Sequence, residues 1–389
     1  MSASIKYTSQ PSLLEQQQIL SLLSDAFTNQ TISKNTLNGF FSGYRCEYEN
    51  FVLLLKENTV IGVAIVAKRK INLLNSLVDA LSIGPIAIAP SYQQQGYSGQ
   101  LMGAVNDLAD KFGVTVLYLQ GIDGFYNKYS FFTCSSKSKL VFKINEIKEM
   151  GGVTVNPMSA LNIEDVASIY TSNAHECSCT SFRCKEDWDW LLKYGCQTWY
   201  FYEPTLVLSN GKPIGYFCTD PEDAGRMREA VCEQSEGSFQ AFLAGLTIYS
   251  KQKSIEKFEV MTWIGSPLYN FTKKYCNAEF VQFFKDNGSQ MMKIHNYSRI
   301  LELLAGFSSS NFVVKNIENI EGYMVFQIKF DEKLVPIKVA EKFLPGLICG
   351  FFDSRIIQNL DDLPQEAKEN FENFINSLNS PFFYQGDNY

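Results

Sequence analysis

Leu13, Leu14, Ile19, Leu20, Leu22, Leu23 and Phe27 recur at helical spacing and predict an amphipathic helix near the start of the chain. Phe51–Ile71 holds two apolar runs around the polar stretch Lys56–Thr59, which predicts a β-hairpin. A strand is expected at Ile83–Ala89. Ser98–Phe112 then reads as a helix with Leu101, Met102, Val105, Leu108 and Ala109 on one face. Val114–Leu119 is apolar and β-branched enough to be a central strand. Gly121–Phe132 reads as a short aromatic helix, and a strand at Lys139–Ile144 is expected to close this first unit. Gly151, Gly152 and Pro157 then punctuate the chain as a boundary would.

A second unit repeats part of this order. A helix is predicted over Asn162–Asn173, followed by the Trp-rich CKEDWDWLLKYG and a hairpin over Thr205–Asp220 turning at Asn210-Gly211. Its later strand is expected at Gln240–Ile248, and Tyr249–Ile255 brings KQK where the first unit has a Gly-containing turn. A third unit starts near Gln290. SQMMKIHNYSRILELL predicts a strand running into a helix, GYMVFQIKF a strand, and FLPGLICGFFDSRIIQNL a Gly-containing strand and a helix. An amphipathic helix, a break at Pro381 and an aromatic tail end the sequence.

Length supports this division, because 389 residues exceed what one hydrophobic core usually organises. Apolar residues at 46% and charged ones at 19% suit a well-packed globular chain. A net charge of −7 and a pI near 5.2 argue against a nucleic-acid partner and favour cationic ligands. No stretch has the length of a membrane span and no leader pattern opens the chain, so a cytoplasmic location is expected. Ten irregularly spaced cysteines read as reduced thiols. His175 and His295 are the only histidines, which weakens any triad or His-rich metal site. HECSCTSFRC gathers His175, Cys177, Cys179 and Cys184, yet its Cys-x-Cys spacing without a second Cys pair favours thiols over zinc, and no metal is expected. Lys68, Arg69 and Lys70 form a basic cluster read as a solvated strand end, with contact to a phosphate as the alternative.

The stretch richest in chemistry is IAIAPSYQQQGYSGQLM, Ile86 to Met102: an apolar strand, a turn, and a helix start. Helix N-termini hold unpaired N–H groups and partial positive charge, so such junctions cradle phosphates. This one lacks the lysine of a triphosphate loop and the three glycines of a dinucleotide loop. Its pattern, apolar-x-apolar-x-Pro-x-x-Gln-x-x-Gly-x-Ser, resembles the acetyl-CoA motif of GNAT-superfamily acyltransferases. The resemblance puts Gln93, Gly96 and Ser98 at the key positions and the N–H groups of Gln94, Gln95, Gly96, Tyr97, Ser98 and Gly99 at the pyrophosphate. Ser98 replaces the commoner Gly or Ala. Ile86, Ala87 and Ile88 become the backbone partners of the pantetheine arm and thioester, and Gly121 and Ile122 join the cofactor-binding set.

FYNKYSFF, Phe125 to Phe132, resembles the Tyr-x-Arg-Phe-Gly-Tyr segment of Eis-type acetyltransferases, which assigns their general-acid tyrosine to Tyr126; Lys128, Tyr129 and Ser130 take the basic, aromatic and small positions. The same resemblance implies an α/β (α+β) architecture of tandem GNAT-like domains, residues 1–150 and 151–288, followed by a sterol-carrier-protein-like domain, residues 289–389. It also implies that the terminal carboxylate of Tyr389 is the general base, and that the assembly is a homo-trimer or hexamer. The expected reaction is acetyl-CoA-dependent acetylation of a primary amine on an aminoglycoside, polyamine or lysine-containing peptide, by direct attack in a ternary complex. A carboxylate with a reference pKa of ~3.5 is ionised and can take the amine proton; a phenol of ~10 stays protonated and can donate toward a thiolate of ~8.5. The alternative is an inactive GNAT-fold scaffold whose third domain binds a lipid or a protein.

Overall fold

A computed structural model of the chain describes residues 3–27, 41, 50–122, 124–135, 137–143, 147, 150–174, 179–194, 203–220, 222–262, 266–283, 289–306, 313–330, 333–350, 357–358, 365, 368–369 and 372–373. In chain order the elements begin β1 (Ser4–Thr8), α1 (Leu13–Ala26), β2 (Phe51–Lys56), β3 (Thr59–Leu73), β4 (Ser76–Ile88), α2 (Tyr97–Phe112), β5 (Val116–Gly121) and β6 (Phe132–Ser135). There follow β7 (Lys137–Lys143), β8 (Val153–Pro157), α3 (Ile163–Ala174), α4 (Lys185–Tyr194), β9 (Glu203–Ser209), β10 (Lys212–Thr219), β11 (Arg226–Cys232), α5 (Glu236–Lys253), β12 (Lys257–Met261), α6 (Pro267–Tyr275) and β13 (Ala278–Phe283). The last described elements are β14 (Ser289–Ile294), α7 (Tyr297–Ala305), β15 (Val313–Ile320), β16 (Tyr323–Phe330), β17 (Lys333–Ala340), α8 (Leu344–Ile348) and β18 (Ile357–Gln358).

The fold is mixed α/β. There are two seven-stranded sheets, ordered β1-β2-β3-β4-β5-β14-β6 and β13-β7-β12-β11-β10-β9-β8, and a separate four-stranded antiparallel sheet β15-β16-β17-β18. Each large sheet contains one parallel pair, β4 with β5 and β11 with β12, and one helix, α2 or α5, makes each crossover. Two strands trade places. β7, expected to close the first unit, instead pairs with β12 and β13 in the second sheet. β14 returns to the first sheet, pairing with β5 and β6.

Several hairpins turn on two residues with positive φ: Glu57-Asn58, Leu74-Asn75, Asn210-Gly211 and Glu321-Gly322. β5 is buried on both faces: Val116 and Tyr118 pack toward α7, α8 and the third sheet, Leu117 and Leu119 toward α2. α1 covers the other end of the first sheet through Ile19, Leu22 and Leu23. Its capping box, Ser12 with Glu15, sets a phase that leaves Leu13 and Leu14 exposed, contrary to the expected apolar face.

Three expected elements are corrected. Gln240–Ile248 lies inside helix α5, whose Phe239, Ala241, Phe242, Leu243, Ala244 and Leu246 are all buried. A helix enclosed on nearly every side shows no 3.6-residue pattern and reads like a buried strand. FLPGLIC is a helical turn rather than a strand, with Leu344, Leu347 and Ile348 in the core. Ile357–Gln358, expected in a helix, pairs with β17 as a strand. The Pro381 break and aromatic tail lie outside the described residues.

Candidate active site

The opening in the first sheet is made by a change of pairing along β4. Its parallel register with β5 runs from Ala80 opposite Val116 to Ile83 opposite Leu119 and stops there. Against β3 the register shifts between Ile83 and Ile86, so Gly84 and Pro85 bulge out and bend the strand. Ile86, Ala87 and Ile88 remain paired only with β3, opposite Ala64, Val63 and Gly62. The Ala89 N–H donates to Ile61 O at 2.9 Å, and strand alternation then turns the Ala87 backbone groups toward β3 and those of Ile86 and Ile88 toward the opening. Two of the three expected backbone partners therefore face the gap; Ala87 does not.

The turn after β4 becomes the N-terminus of α2. Gln94 (φ 59°) and Gly96 (φ 82°) both sit in the left-handed region, so successive N–H groups converge as in an anion-binding nest. Among the described residues, the N–H groups of Gln94, Gln95, Gly96, Tyr97 and Ser98 have no hydrogen-bond partner. The Gly99 N–H, expected to join them, is spent on Gly96 O at 3.0 Å. No side chain caps α2 and no acid lies in its first turn. A Cβ on Gly96 would meet nothing within 4 Å, so this glycine is required by its φ and not by crowding within the chain. Gln93 folds back on the strand, its Nε2 donating to Ile88 O at 3.1 Å, while Gln95 Nε2 donates to Ser91 O at 2.9 Å. Both glutamines brace the cradle. Lys56, at the end of β2, places its Nζ 5.1 Å from the Tyr92 ring centroid and adds a cation beside the turn that sequence reading missed.

Tyr126 stands at the far end of β5. Its carbonyl accepts from the N–H groups of Tyr129 (2.9 Å) and Phe131 (3.3 Å), closing a tight turn, and the Gly124 N–H donates to Asn127 Oδ1 at 2.6 Å. Its ring meets Phe125 and Phe131 edge-on at 4.9 and 6.4 Å. Gly121 makes room for it: a Cβ there would lie 2.7 Å from Tyr126 Cδ2 and 2.9 Å from Met291 Sδ. Gly121 therefore seats the tyrosine. Ile122 is exposed, as is Phe125, whose ring lies 4.5 Å from Lys128 Nζ. The Tyr126 hydroxyl has no partner among the described residues. Burial, and secondarily the nearby Tyr129 phenol, push its pKa up to about 12. Tyr126, Tyr129, Ile86 and Ile88 all border one apolar cluster with Leu119 and Met291. Tyr389 lies outside the described residues.

The other sequence candidates sit elsewhere. Lys68 and Lys70 both pair with Asp79, and Arg69 is bound to Asp187 of α4 with both side chains largely buried. The basic cluster is thus consumed by carboxylates, and Arg69 ties the first sheet to the second unit. His175 and Cys177 lie outside the described residues. Cys179 packs against Cys349, Sγ to Sγ 3.0 Å, whereas Cys184 donates to Asp187 Oδ2 at 3.1 Å. Among the described residues no group of three or more His, Cys, Asp or Glu is placed to hold a metal, and no helix is long and apolar enough to cross a membrane.

Residues 12–133 match the family profile described as an acetyltransferase (GNAT) domain. No curated protein matches the chain. Solved structures share its fold from end to end. A GCN5-related N-acetyltransferase from Anabaena variabilis is 16% identical with a TM-score of 0.69, over 98% of this chain and 99% of that one. One from Kribbella flavida is 10% identical with a TM-score of 0.66, over 98% and 99%. Eis1 from Mycobacterium abscessus is 12% identical with a TM-score of 0.67, over 99% and 100%. At these identities the likeness is one of fold, and the matched domain supports a GNAT-superfamily acyltransferase.

Proposed function

We propose that the protein is an acetyl-CoA-dependent N-acetyltransferase acting on primary amines, with Eis-type organisation. One observation carries the reading: five adjacent N–H groups, Gln94 to Ser98, without a partner among the described residues, stand at the mouth of a strand edge that β5 leaves unpaired after Ile83. The nest and the uncapped N-terminus of α2 suit a pyrophosphate, and the gap-facing backbone groups of Ile86 and the Ile88 N–H suit the amides of a pantetheine arm and a thioester carbonyl, Ile88 O being already engaged by Gln93 Nε2. Acetyl-CoA supplies the activated acyl group. The amine attacks the thioester carbon directly, the C–S bond breaks, and the amine proton leaves to a base, which we assign to the Tyr389 carboxylate.

Tyr126 remains protonated at neutral pH, since burial holds its pKa at about 12. A donor some three units or more above a thiol of reference pKa ~8.5 does not give up its proton outright; it stabilises the developing thiolate through a hydrogen bond. We further assign residues 1–150 and 151–288 to tandem GNAT-like domains, the first lending β7 to the second sheet, and residues 289–389 to a sterol-carrier-protein-like domain that lends β14 to the first sheet. A cytoplasmic homo-oligomer, trimer or hexamer, acetylating an aminoglycoside, polyamine or lysine peptide completes the proposal.

The test is calorimetry with acetyl-CoA followed by a thiol-release assay over those three acceptor classes. Binding with acetyl transfer to at least one class is expected. Absence of acetyl-CoA binding overturns the reading, and binding without transfer to any amine favours a scaffold.

A further inference from the structure

Among the described residues, one side-chain hydrogen bond joins the segment that carries Tyr126 to the cradle that would hold the phosphates, from Tyr129 Oη to Ser98 Oγ at 2.9 Å, across 31 residues of sequence. The bonds that shape the segment, Tyr129 N–H and Phe131 N–H to Tyr126 O and Gly124 N–H to Asn127 Oδ1, are local. They fix Tyr126 relative to Tyr129. They do not fix either relative to α2. Ser98 lies in the first turn of α2, and its own N–H is among the five without a partner.

We propose that Ser98 and Tyr129 form a positioning bridge that registers the Tyr126 hydroxyl against the cofactor cradle, an inference that rests on the acetyl-CoA reading above. The bond is directional. Tyr129 donates, so Ser98 Oγ keeps its own proton to give to a phosphate oxygen, and a hydroxyl polarised by an incoming hydrogen bond is the better donor. Occupation of the cradle then fixes Ser98, Ser98 fixes Tyr129, and the shared turn carries Tyr126 into place.

Amide hydrogen exchange tests this without relying on turnover. Acetyl-CoA is expected to slow exchange in the peptides covering 94–100 and 124–131 of the wild-type protein. In Tyr129→Phe, which removes only the hydroxyl, the first peptide is still slowed and the second is not. In the thiol-release assay Tyr129→Phe lowers kcat about fivefold, the scale of one net hydrogen bond, with the acetyl-CoA Kd within about twofold. Ser98→Ala lowers kcat equally and weakens acetyl-CoA binding about threefold. The double variant has the kcat of Ser98→Ala, and Ser98→Thr restores it. Slowing at 124–131 that survives in Tyr129→Phe, or kcat losses that multiply in the double variant, overturns the bridge alone. Wild-type protein showing no slowing at 94–100 overturns the acetyl-CoA reading and the bridge with it.

Discussion

The two strand–turn–helix junctions, β4 to α2 and β11 to α5, hold the same topological position in their sheets, each crossing over to a parallel neighbour. Their chemistry is opposite. The first uses the eight residues Ala89–Gly96 to turn the chain, leaves α2 uncapped and keeps acids out of its first turn. The second turns in Glu233, Gln234 and Ser235; Ser235 Oγ caps α5 by accepting from the Ser238 N–H at 3.1 Å, and Glu236 occupies the first turn. Glu233 adds a second carboxylate, accepting from Ser238 Oγ at 2.9 Å. A helix end that carries a side-chain cap and two neighbouring carboxylates disfavours phosphate. The same contrast follows the next strand. After β5 comes the turn that carries the Tyr126 hydroxyl, which has no partner among the described residues, whereas beyond β12 Ser266 caps α6 and its Oγ is bonded to Thr262 Oγ1 at 2.8 Å. One scaffold thus appears twice, and only the first copy leaves its helix start both uncapped and clear of acids.

The largest expected effect breaks the contrast at Tyr126. Tyr126→Phe is expected to lower kcat about 100-fold, within the usual range for a single proton donor, with the acetyl-CoA Kd nearly unchanged. Parallel thiol-release and calorimetric titrations check it; an unchanged kcat would return Tyr126 to the packed aromatics around Phe131. Because its pKa is raised to about 12, absorbance titration of the wild type against Tyr126→Phe should show no extra phenolate up to pH 10.

Next in size is an exchange of chemistry between the junctions. Tyr97 is the first residue of α2 just as Glu236 is the first of α5. Tyr97→Glu is expected to weaken acetyl-CoA binding about 30-fold, on the order of 2 kcal/mol for a like charge facing a desolvated phosphate. The free helix should lose nothing from the acid, since a carboxylate at an N-terminus contributes about 0.3–1 kcal/mol of favourable dipole interaction. A drop in affinity without a drop in melting temperature is the signature sought; weakening of both in proportion would mean the substitution had only damaged the fold. Gly96→Ala should cost less, about tenfold in affinity, because a left-handed φ charges an L-residue roughly 1–2 kcal/mol and the relaxed turn misdirects the N–H groups. Calorimetry distinguishes this from steric blocking, since no atom of the chain lies within 4 Å of the added Cβ.

Much of the first junction was legible in the sequence, because a proline, a glycine with a special φ and a flanking apolar periodicity all act locally. The strand–turn–helix of Ile86–Met102 and the Asn210-Gly211 hairpin turn appear where residue chemistry put them. What could not be read depends on distant partners. β11 carries Arg226, Arg228 and Glu229, a pattern that hides a strand, yet Glu229 is fully buried because Arg183 pairs with both its oxygens at 2.8 Å. The turn Leu74-Asn75 uses a leucine at positive φ, which no turn preference announces. The exchange of β7 and β14 between sheets leaves no local trace. Nor does the Ser98–Tyr129 bond, whose partners belong to separate motifs.

The smallest prediction concerns Gly237, which lies in the first turn of α5 where a Cβ would meet nothing within 4 Å. If the second junction were a dormant cradle, its N-terminal glycine would be kept for a ligand. Gly237→Ala would then disturb binding as Gly96→Ala does. The self-capped geometry argues otherwise: Ser235 already holds the Ser238 N–H, and the position needs only helical φ. Alanine there should raise stability by about 0.5–1 kcal/mol through helix propensity alone. The melting temperature should rise by a degree or two, and the calorimetric stoichiometry and Kd for acetyl-CoA should not move. A second binding event in the wild type that Gly237→Ala removes would erase the distinction between the two junctions.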